Sequence, residues 1–222
     1  MDGNGRWARQ RGLRRSAGHR AGIRAIRQVM AAADQAGVHC LTLYAFSTEN
    51  WSRPRYEVAT LMRLFEETLQ EEVDELNRNG VRIRVIGRRE QLSTRLRRLV
   101  AEAERATAEN QSGMLNVAIN YGGRAEIVDA VRSLARQGVD LAQLDEPALS
   151  NALYTAGLPD PDLIIRTAGE LRTSNFLIWQ AAYAELYVTQ TLWPDFAAAD
   201  LRAALADYAA RVRRFGGIPE RA

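Results

Sequence analysis

Apolar positions change their period repeatedly along the chain. Ile23, Ile26, Val29, Met30 and Ala33 recur at helical spacing, and Gly37 stands where a C-cap belongs. Val38 to Phe46 follows as a mostly apolar run of strand length. Val58, Leu61, Met62, Phe65, Leu69, Val73 and Leu76 then trace a long amphipathic helix that stops at Gly80. Val81, Ile83 and Val85 alternate with Arg82 and Arg84, the spacing of a strand with one wet face. The cycle continues with a helix around Leu92 to Ala106, a strand at Met114 to Ile119, a helix at Ala125 to Gln137, a short helix after Pro147 and a strand at Leu163 to Thr167. A last helix is expected to carry Leu201, Leu205, Tyr208, Val212 and Phe215. Strands alternating with helices predict an α/β fold, a central and mostly parallel sheet flanked by helices with right-handed crossovers. No repeat, low-complexity tract or linker interrupts the pattern, so residues 1–222 read as one domain.

In such sheets ligands bind beyond the carboxyl ends of the strands. That places chemistry in Ser47 to Arg55, Asn120 to Arg124 and Ala168 to Ser174, which are also rich in Gly, Asn, Ser, Thr and Arg. The opening segment sets Gly3 and Gly5 around Asn4, followed by Arg6, Arg9, Arg11, Arg14, Arg15 and His19. Glycines let backbone N–H groups close on an anion and guanidinium forks suit phosphate oxygens, although a solvated basic segment has the same composition. Gly3, Gly5 and Ala8 also fit a dinucleotide fingerprint, but no strand is read before them and no acidic residue ends a following strand at the required distance.

Arg166 to Ser174 directly follows an apolar strand and suits a diphosphate, as it suits an ordinary turn. Trp51 lies among polar neighbours on the loop after Phe46, where either a core or a ligand role is open. His39 and Cys40 are adjacent on a strand and face opposite sides, so they make no dyad. His19 can donate to a phosphate or shuttle a proton. The chain has no Asp-Asp-x-x-Asp cluster, so a metal would be held by one or two scattered carboxylates plus substrate phosphates, the usual arrangement for Mg²⁺.

Composition narrows the classes. Hydrophobic residues make up 46% of the 222 and charged ones 26%, a globular balance. The chain contains no Lys, which excludes Walker-A loops, Schiff-base enzymes and pyridoxal enzymes. One Cys excludes an intrachain disulfide and a Cys-based zinc site, and fits a cytoplasmic location. The net charge of +3 does not indicate nucleic acid, because acidic runs such as Glu66-Glu67 and Glu71-Glu72 are interspersed with the arginines. No window reaches the ~18 apolar residues of a membrane span, so a soluble protein is expected.

Several ordered segments resemble one family, the cis-prenyltransferases, and their bacterial members most closely. They are Asp2 to Ala8, Gly18-His19, Phe46 to Trp51 with Arg53-Pro54, Asn120 to Arg124, Pro159 to Leu163, Arg166 to Glu170 continuing to Leu186, and Arg213 to Gly217. The resemblance implies a transferase that extends an allylic diphosphate, such as farnesyl diphosphate, with isopentenyl diphosphate. Each condensation would leave a cis double bond, and the product would be a cis-polyprenyl diphosphate such as undecaprenyl diphosphate. It further implies that Asp2 is an essential carboxylate working with Mg²⁺, with Glu185 a second metal-linked carboxylate. Gly3, Asn4, Gly5, Arg6, Trp7, Arg15 and His19 would cradle the allylic diphosphate. Arg166, Arg172 and Ser174 would grip isopentenyl diphosphate, and Ser47, Asn50, Trp51 and Arg53 would orient and cover it, with Asn50 and His19 in catalytic roles. Val58, Leu61, Met62, Phe65 and Leu69 are candidates to line a hydrocarbon tunnel, or are plain core. The family is dimeric, and Arg214 lies in a tail that resembles one reaching into a partner's site. At most peripheral membrane contact is implied, and no nucleic acid. Ala168 stands where the family usually has Ser and Thr173 where it has an aliphatic residue. The family also has an apolar strand ahead of the Asp-Gly-Asn-Gly motif. Its absence here leads us to expect that Met1 is internal to a longer protein or that the chain is a truncated product. A non-catalytic family subunit is the alternative, and such a subunit would be expected to lose the Asp or the arginines.

Overall fold

The computed structural model describes residues 1–213. Three parallel strands form one sheet in the order β1 (Cys40–Ser47), β3 (Gly113–Tyr121), β2 (Val81–Ile86). β4 (Leu163–Arg166) and β5 (Glu185–Val188) form a second parallel pair. The expected parallel α/β arrangement is present, but as two sheets rather than one continuous sheet. Consecutive residues 38–47 and 159–167 line one cavity, so the sides of β1 and β4 that lack a partner among the described residues front on the same space.

Helices α2 (Arg15–Gln35), α3 (Arg55–Arg78) and α4 (Thr94–Ala106) pack on one face of the larger sheet. Val29, Leu61, Leu69, Leu96 and Val100 meet Phe46, Ile83, Val85, Leu115 and Ile119 there. Full burial of each such side chain contributes about 1.5–3 kcal/mol. α5 (Gly123–Arg136) and α6 (Glu146–Ser150) bury Ala130, Leu134, Leu149 and Leu153 in a separate cluster. Tyr121, Leu177, Tyr44 and Phe176 form a third.

Local signals account for the boundaries. α2 ends where Gly37 adopts φ +73° and the Val38 N–H donates to the Ala33 carbonyl at 2.9 Å, a Schellman closure. Ser93 caps α4 by accepting from the Leu96 N–H at 3.0 Å, and Asp145 caps α6 through Ala148 at 2.8 Å. The expected wet face of β2 is only partly wet. Arg84 donates to the carbonyls of Tyr154 and Ala156, both at 2.8 Å, and so fastens β2 to the chain leading into β4. The last helix, α7 (Ala198–Ala209), stops short of the expected span, leaving Val212 exposed, and Phe215 lies outside the described residues. Arg211 and Arg213 turn back beyond it to Glu185 and Asp162, each at 2.7 Å.

Glu126 is an ionisable group in the interior with no exposed surface. Tyr121 Oη and Gln180 Nε2 meet its Oε2 at 2.5 and 3.1 Å, and the Tyr154 N–H donates to its Oε1 at 2.9 Å. Burial holds its pKa above the ordinary 4.5 despite those hydrogen bonds. A folded state with a raised carboxyl pKa binds the extra proton, so its contribution is full in acid and declines as pH rises through the raised value. An amide fits the site because Gln180 Oε1 is buried without a donor. Glu126→Gln is therefore expected to gain stability relative to the parent chain between pH 5 and pH 8 in urea unfolding. Parallel stability curves would contradict this reading of the buried carboxyl.

Candidate active site

Asp2 is held chiefly by its main chain. Its N–H donates to Thr167 Oγ1, whose hydroxyl donates back to the Asp2 carbonyl, both at 2.9 Å, and the Trp193 N–H reaches the same carbonyl at 2.9 Å. This fixes the start of the chain to the carboxyl end of β4. Gly3, at φ +107°, then turns the backbone into α1 (Asn4–Gln10). Gly5 and Arg6 thus stand in a helical first turn, not in the open glycine loop that their composition suggests. No side chain caps that turn. α1 lies close against α2 at Gly18, where a Cβ would come within 2.0 Å of the Asn4 carbonyl oxygen. That approach sets Arg15 and His19 beside the opening segment.

The cations of the site are paired with the chain's own carboxylates. Arg166 Nη2 meets Asp2 Oδ2 at 2.8 Å. Its Nη1 donates to Ser174 Oγ at 2.9 Å and to the Arg172 carbonyl, while its Nε is buried without a partner. Glu170 takes Arg6 on one oxygen at 2.8 Å and Arg172 on the other at 2.5 Å. Glu57, at the first turn of α3 and only 5% exposed, faces Arg53 at 3.2 Å, Arg15 at 3.4 Å and His19 at 3.8 Å. Burial pulls the His19 pKa below its ordinary value. Glu57 pulls it up and Arg53 and Arg15 push it down, so its neutral form is favoured at neutral pH.

The loop after β1 is a 3-10 turn, Thr48–Ser52. Asn50 Oδ1 accepts from the Ser47 N–H at 3.1 Å. The Trp51 ring stands edge-on to Phe46, and its indole N–H donates to Asn120 Oδ1 at 2.7 Å. Asn120 is fully buried at φ +52° and spends its amide on the Arg88 carbonyl and Gln91 Oε1.

Asp2, Gly3, Asn4, Gly5, Arg6, Arg15, His19, Ser47, Asn50, Arg53, Arg166, Arg172 and Ser174 all line one cavity of about 1610 Å³. Trp7 does not join them: its indole donates to Asp195 Oδ1 at 2.6 Å under the Arg11 guanidinium. Trp51 also stands apart from the lining, behind Phe46. Glu185 is not brought to Asp2, since it opens β5 at the register of Leu163 and pairs with Arg211, whereas Arg166 is at the other end of β4. Arg214 lies outside the described residues. A second, apolar cavity of about 460 Å³ adjoins the first between α2, α3 and the sheet, sharing Met1, Asn4, His19, Leu61 and Trp193. Leu61, Phe65 and Leu69 line it, while Val58 and Met62 do not.

Sequence reasoning assigned no role to Glu57, Thr167, Asn120 or Asn175. Glu57 had one available signal, an acid four residues after Arg53 at the edge of an apolar stripe. Among the described residues no group of three or more His, Cys, Asp or Glu side chains is placed to hold a metal ion.

A family model described as undecaprenyl diphosphate synthase matches residues 1–216. The isoprenyl transferase of Heliobacterium mobile is 53% identical over 98% of this chain and 85% of its own length. The farnesyl-diphosphate-specific ditrans,polycis-undecaprenyl-diphosphate synthase of Legionella pneumophila is 48% identical over 99% of this chain and 94% of its own. Lavandulyl diphosphate synthase from Lavandula x intermedia, solved with dimethylallyl diphosphate, superposes with a TM-score of 0.93 at 37% identity, covering 97% of this chain and 95% of that one.

Glu57 supports the protonated form of His19, so Glu57→Gln is expected to move the His19 pKa further down. The chain has two histidines, and NMR titration of the imidazole protons, with His39→Gln for assignment, checks it. An upward movement would remove Glu57 as the counter-charge of this cluster.

Proposed function

The chain belongs to the undecaprenyl diphosphate synthase family of isoprenyl transferases, and on that premise we propose that it extends farnesyl diphosphate with isopentenyl diphosphate at the cavity described above. In each round the allylic carbon–oxygen bond breaks and diphosphate leaves. The double bond of isopentenyl diphosphate then supplies the electron pair for the new carbon–carbon bond, and a proton is lost from the added unit.

The single observation that carries this reading is the convergence of Asp2 with Arg6, Arg15, Arg53, Arg166 and Arg172 on one cavity that adjoins a mainly apolar one. Negative charge grows on the departing diphosphate, and donors already aimed at it lower the barrier without reorganising. Arg6 and Arg15 are suited to the allylic diphosphate. Arg166, Arg172 and Ser174 are suited to the second diphosphate, and neutral His19 can donate a hydrogen bond to a phosphate oxygen. The apolar cavity suits the hydrocarbon tail and keeps water from a carbocation-like centre.

Asp2 would hold Mg²⁺ together with diphosphate oxygens. The donor set fits, because its carboxylate lines the cavity with 45% of its side chain exposed, and this ion is commonly held by one or two carboxylates plus substrate phosphates. Bound there, the ion would neutralise charge developing on the leaving group. A non-catalytic subunit is disfavoured, since Asp2 and the arginines are all in place. No helix among the described residues is long and apolar enough to cross a membrane, so contact with lipid would be peripheral. We further read the chain as a cytoplasmic homodimer. Exposed Ile178, Tyr183 and Leu186, near and on β5, are a candidate surface for that contact.

Purified chain with farnesyl diphosphate, labelled isopentenyl diphosphate and Mg²⁺ is expected to release labelled cis-polyprenyl diphosphate. Asp2→Ala is expected to lower kcat by at least about 100-fold, the scale on which loss of one preorganised electrostatic group is felt. Arg166→Ala should chiefly raise KM for isopentenyl diphosphate. Undiminished turnover in Asp2→Ala would overturn the assignment of that carboxylate.

A further inference from the structure

The loops that leave the carboxyl ends of β1, β3 and β4 meet at Asn175. Its Nδ2 donates to Glu49 Oε1 at 2.9 Å, in the turn that carries Asn50 and Trp51. Its Oδ1 accepts from the Arg124 N–H at 2.9 Å and its carbonyl from the Gly123 N–H at 2.8 Å. Those two donors belong to the first turn of α5, whose own N-cap, Gly122, has no side chain to satisfy them. Gly122 is also what lets the loops close, since a Cβ there would stand 2.7 Å from both Asn175 Nδ2 and Thr48 Oγ1.

The backbone around Asn175 is held in an uncommon conformation. Ser174, Asn175 and Leu177 have φ of +50°, +64° and +46°. Asn tolerates this left-handed region better than most residues, but three such positions within four residues persist only where surrounding contacts over-determine them. Ser174, the residue immediately before, takes the Arg166 guanidinium. One side chain therefore lies between the anion-gripping turn and the Thr48–Ser52 turn.

We propose that Asn175 is a positioning residue, which locks the Thr48–Ser52 turn to the Arg166–Ser174 turn so that both act on isopentenyl diphosphate in one fixed geometry. The effect on activity rests on the elongation reading; the effect on the turn does not. Burial raises the Glu49 pKa, but hydrogen bonds from Asn175 and from its own turn outweigh that, leaving it below the ordinary value and the acceptor ionised at neutral pH.

Asn175→Asp in the full chain keeps the acceptor for Arg124 and the tolerance for positive φ, but removes the donor and sets a carboxylate against Glu49. Hydrogen exchange read by mass spectrometry is expected to speed up about tenfold in residues 48–53, the scale of one lost hydrogen bond to a charged group. KM for isopentenyl diphosphate is expected to rise by about the same factor, with kcat changed far less. The double variant Glu49→Gln with Asn175→Asp exchanges donor for acceptor and is expected to restore both readouts. Unchanged exchange in Asn175→Asp, or a double variant no better than the single one, would overturn the proposal. If Asn175→Asp does not fold, Asn175→Gly keeps the backbone conformation and removes only the side chain; parent-like exchange in that variant would equally overturn it. A parent chain that elongates nothing would sink the functional reading and leave exchange to decide this one.

Discussion

Arg6, Arg15, Arg53, Arg166 and Arg172 can share one cavity because carboxylates of the same chain hold them there. Two unit charges 4 Å apart interact by about 4 kcal/mol at the effective dielectric of a protein surface, so an unpaired group of this kind would splay into solvent. Asp2, Glu57 and Glu170 instead divide the guanidinium groups among them, two of them serving more than one cation. The arrangement resembles a bound anion already in place. On the proposed reading, a diphosphate that enters would not have to gather mobile side chains; it would take over contacts whose geometry is set, with little orientational entropy left to lose.

That electrostatic set depends in turn on the backbone. Asp2 is fixed by three main-chain contacts to Thr167 and Trp193, and the Trp193 indole donates to the Gly22 carbonyl of α2 at 2.8 Å. β4, α1 and α2 therefore meet at a single residue. Positions far apart in sequence become one site because the elements that carry them are fastened together by these main-chain contacts, and the arginine side chains then reach one cavity.

Much of this was legible beforehand, for physical reasons. The stripes of α2, α3 and α4 and the alternation of β2 follow from burial on one face, and the three loops were located by the rule that ligands sit at strand carboxyl ends. What escaped was structure without periodicity. α1 is short, contains a glycine in its first turn and has no apolar stripe; it is stabilised by contact with α2 at Gly18, which local propensity does not encode. β5 is only four residues long, and α7 was overextended because Val212 and Phe215 continue its spacing after Arg211 and Arg213 have turned back to acidic partners. Motif reading placed Trp7 and Glu185 in the site, but a motif does not say which way a side chain faces. Polar hubs such as the buried Glu57 and Asn120 and the half-buried Asn175 are invisible to periodicity, because each is defined by partners distant in sequence.

On the proposed reading, the two adjoining cavities would favour one orientation of an amphiphilic substrate. The larger cavity gathers the guanidinium groups, whereas the smaller one is lined mainly by apolar side chains, among them Ile23, Ile26, Leu61, Leu64, Phe65 and Leu69, where a phosphate would find few partners. Each buried methylene contributes about 0.8 kcal/mol, so a five-carbon unit passed into the apolar side gains about 4 kcal/mol. A desolvated diphosphate there would lose far more. The head would thus be retained at the arginines while the tail is drawn inward. On that reading growth would be favoured for as long as the wall between α2 and α3 still offers uncovered apolar surface. Further along those helices the ion pair of Arg27 with Glu72 joins the lining, and apolar surface continues past it at Met30, Leu76 and Val81.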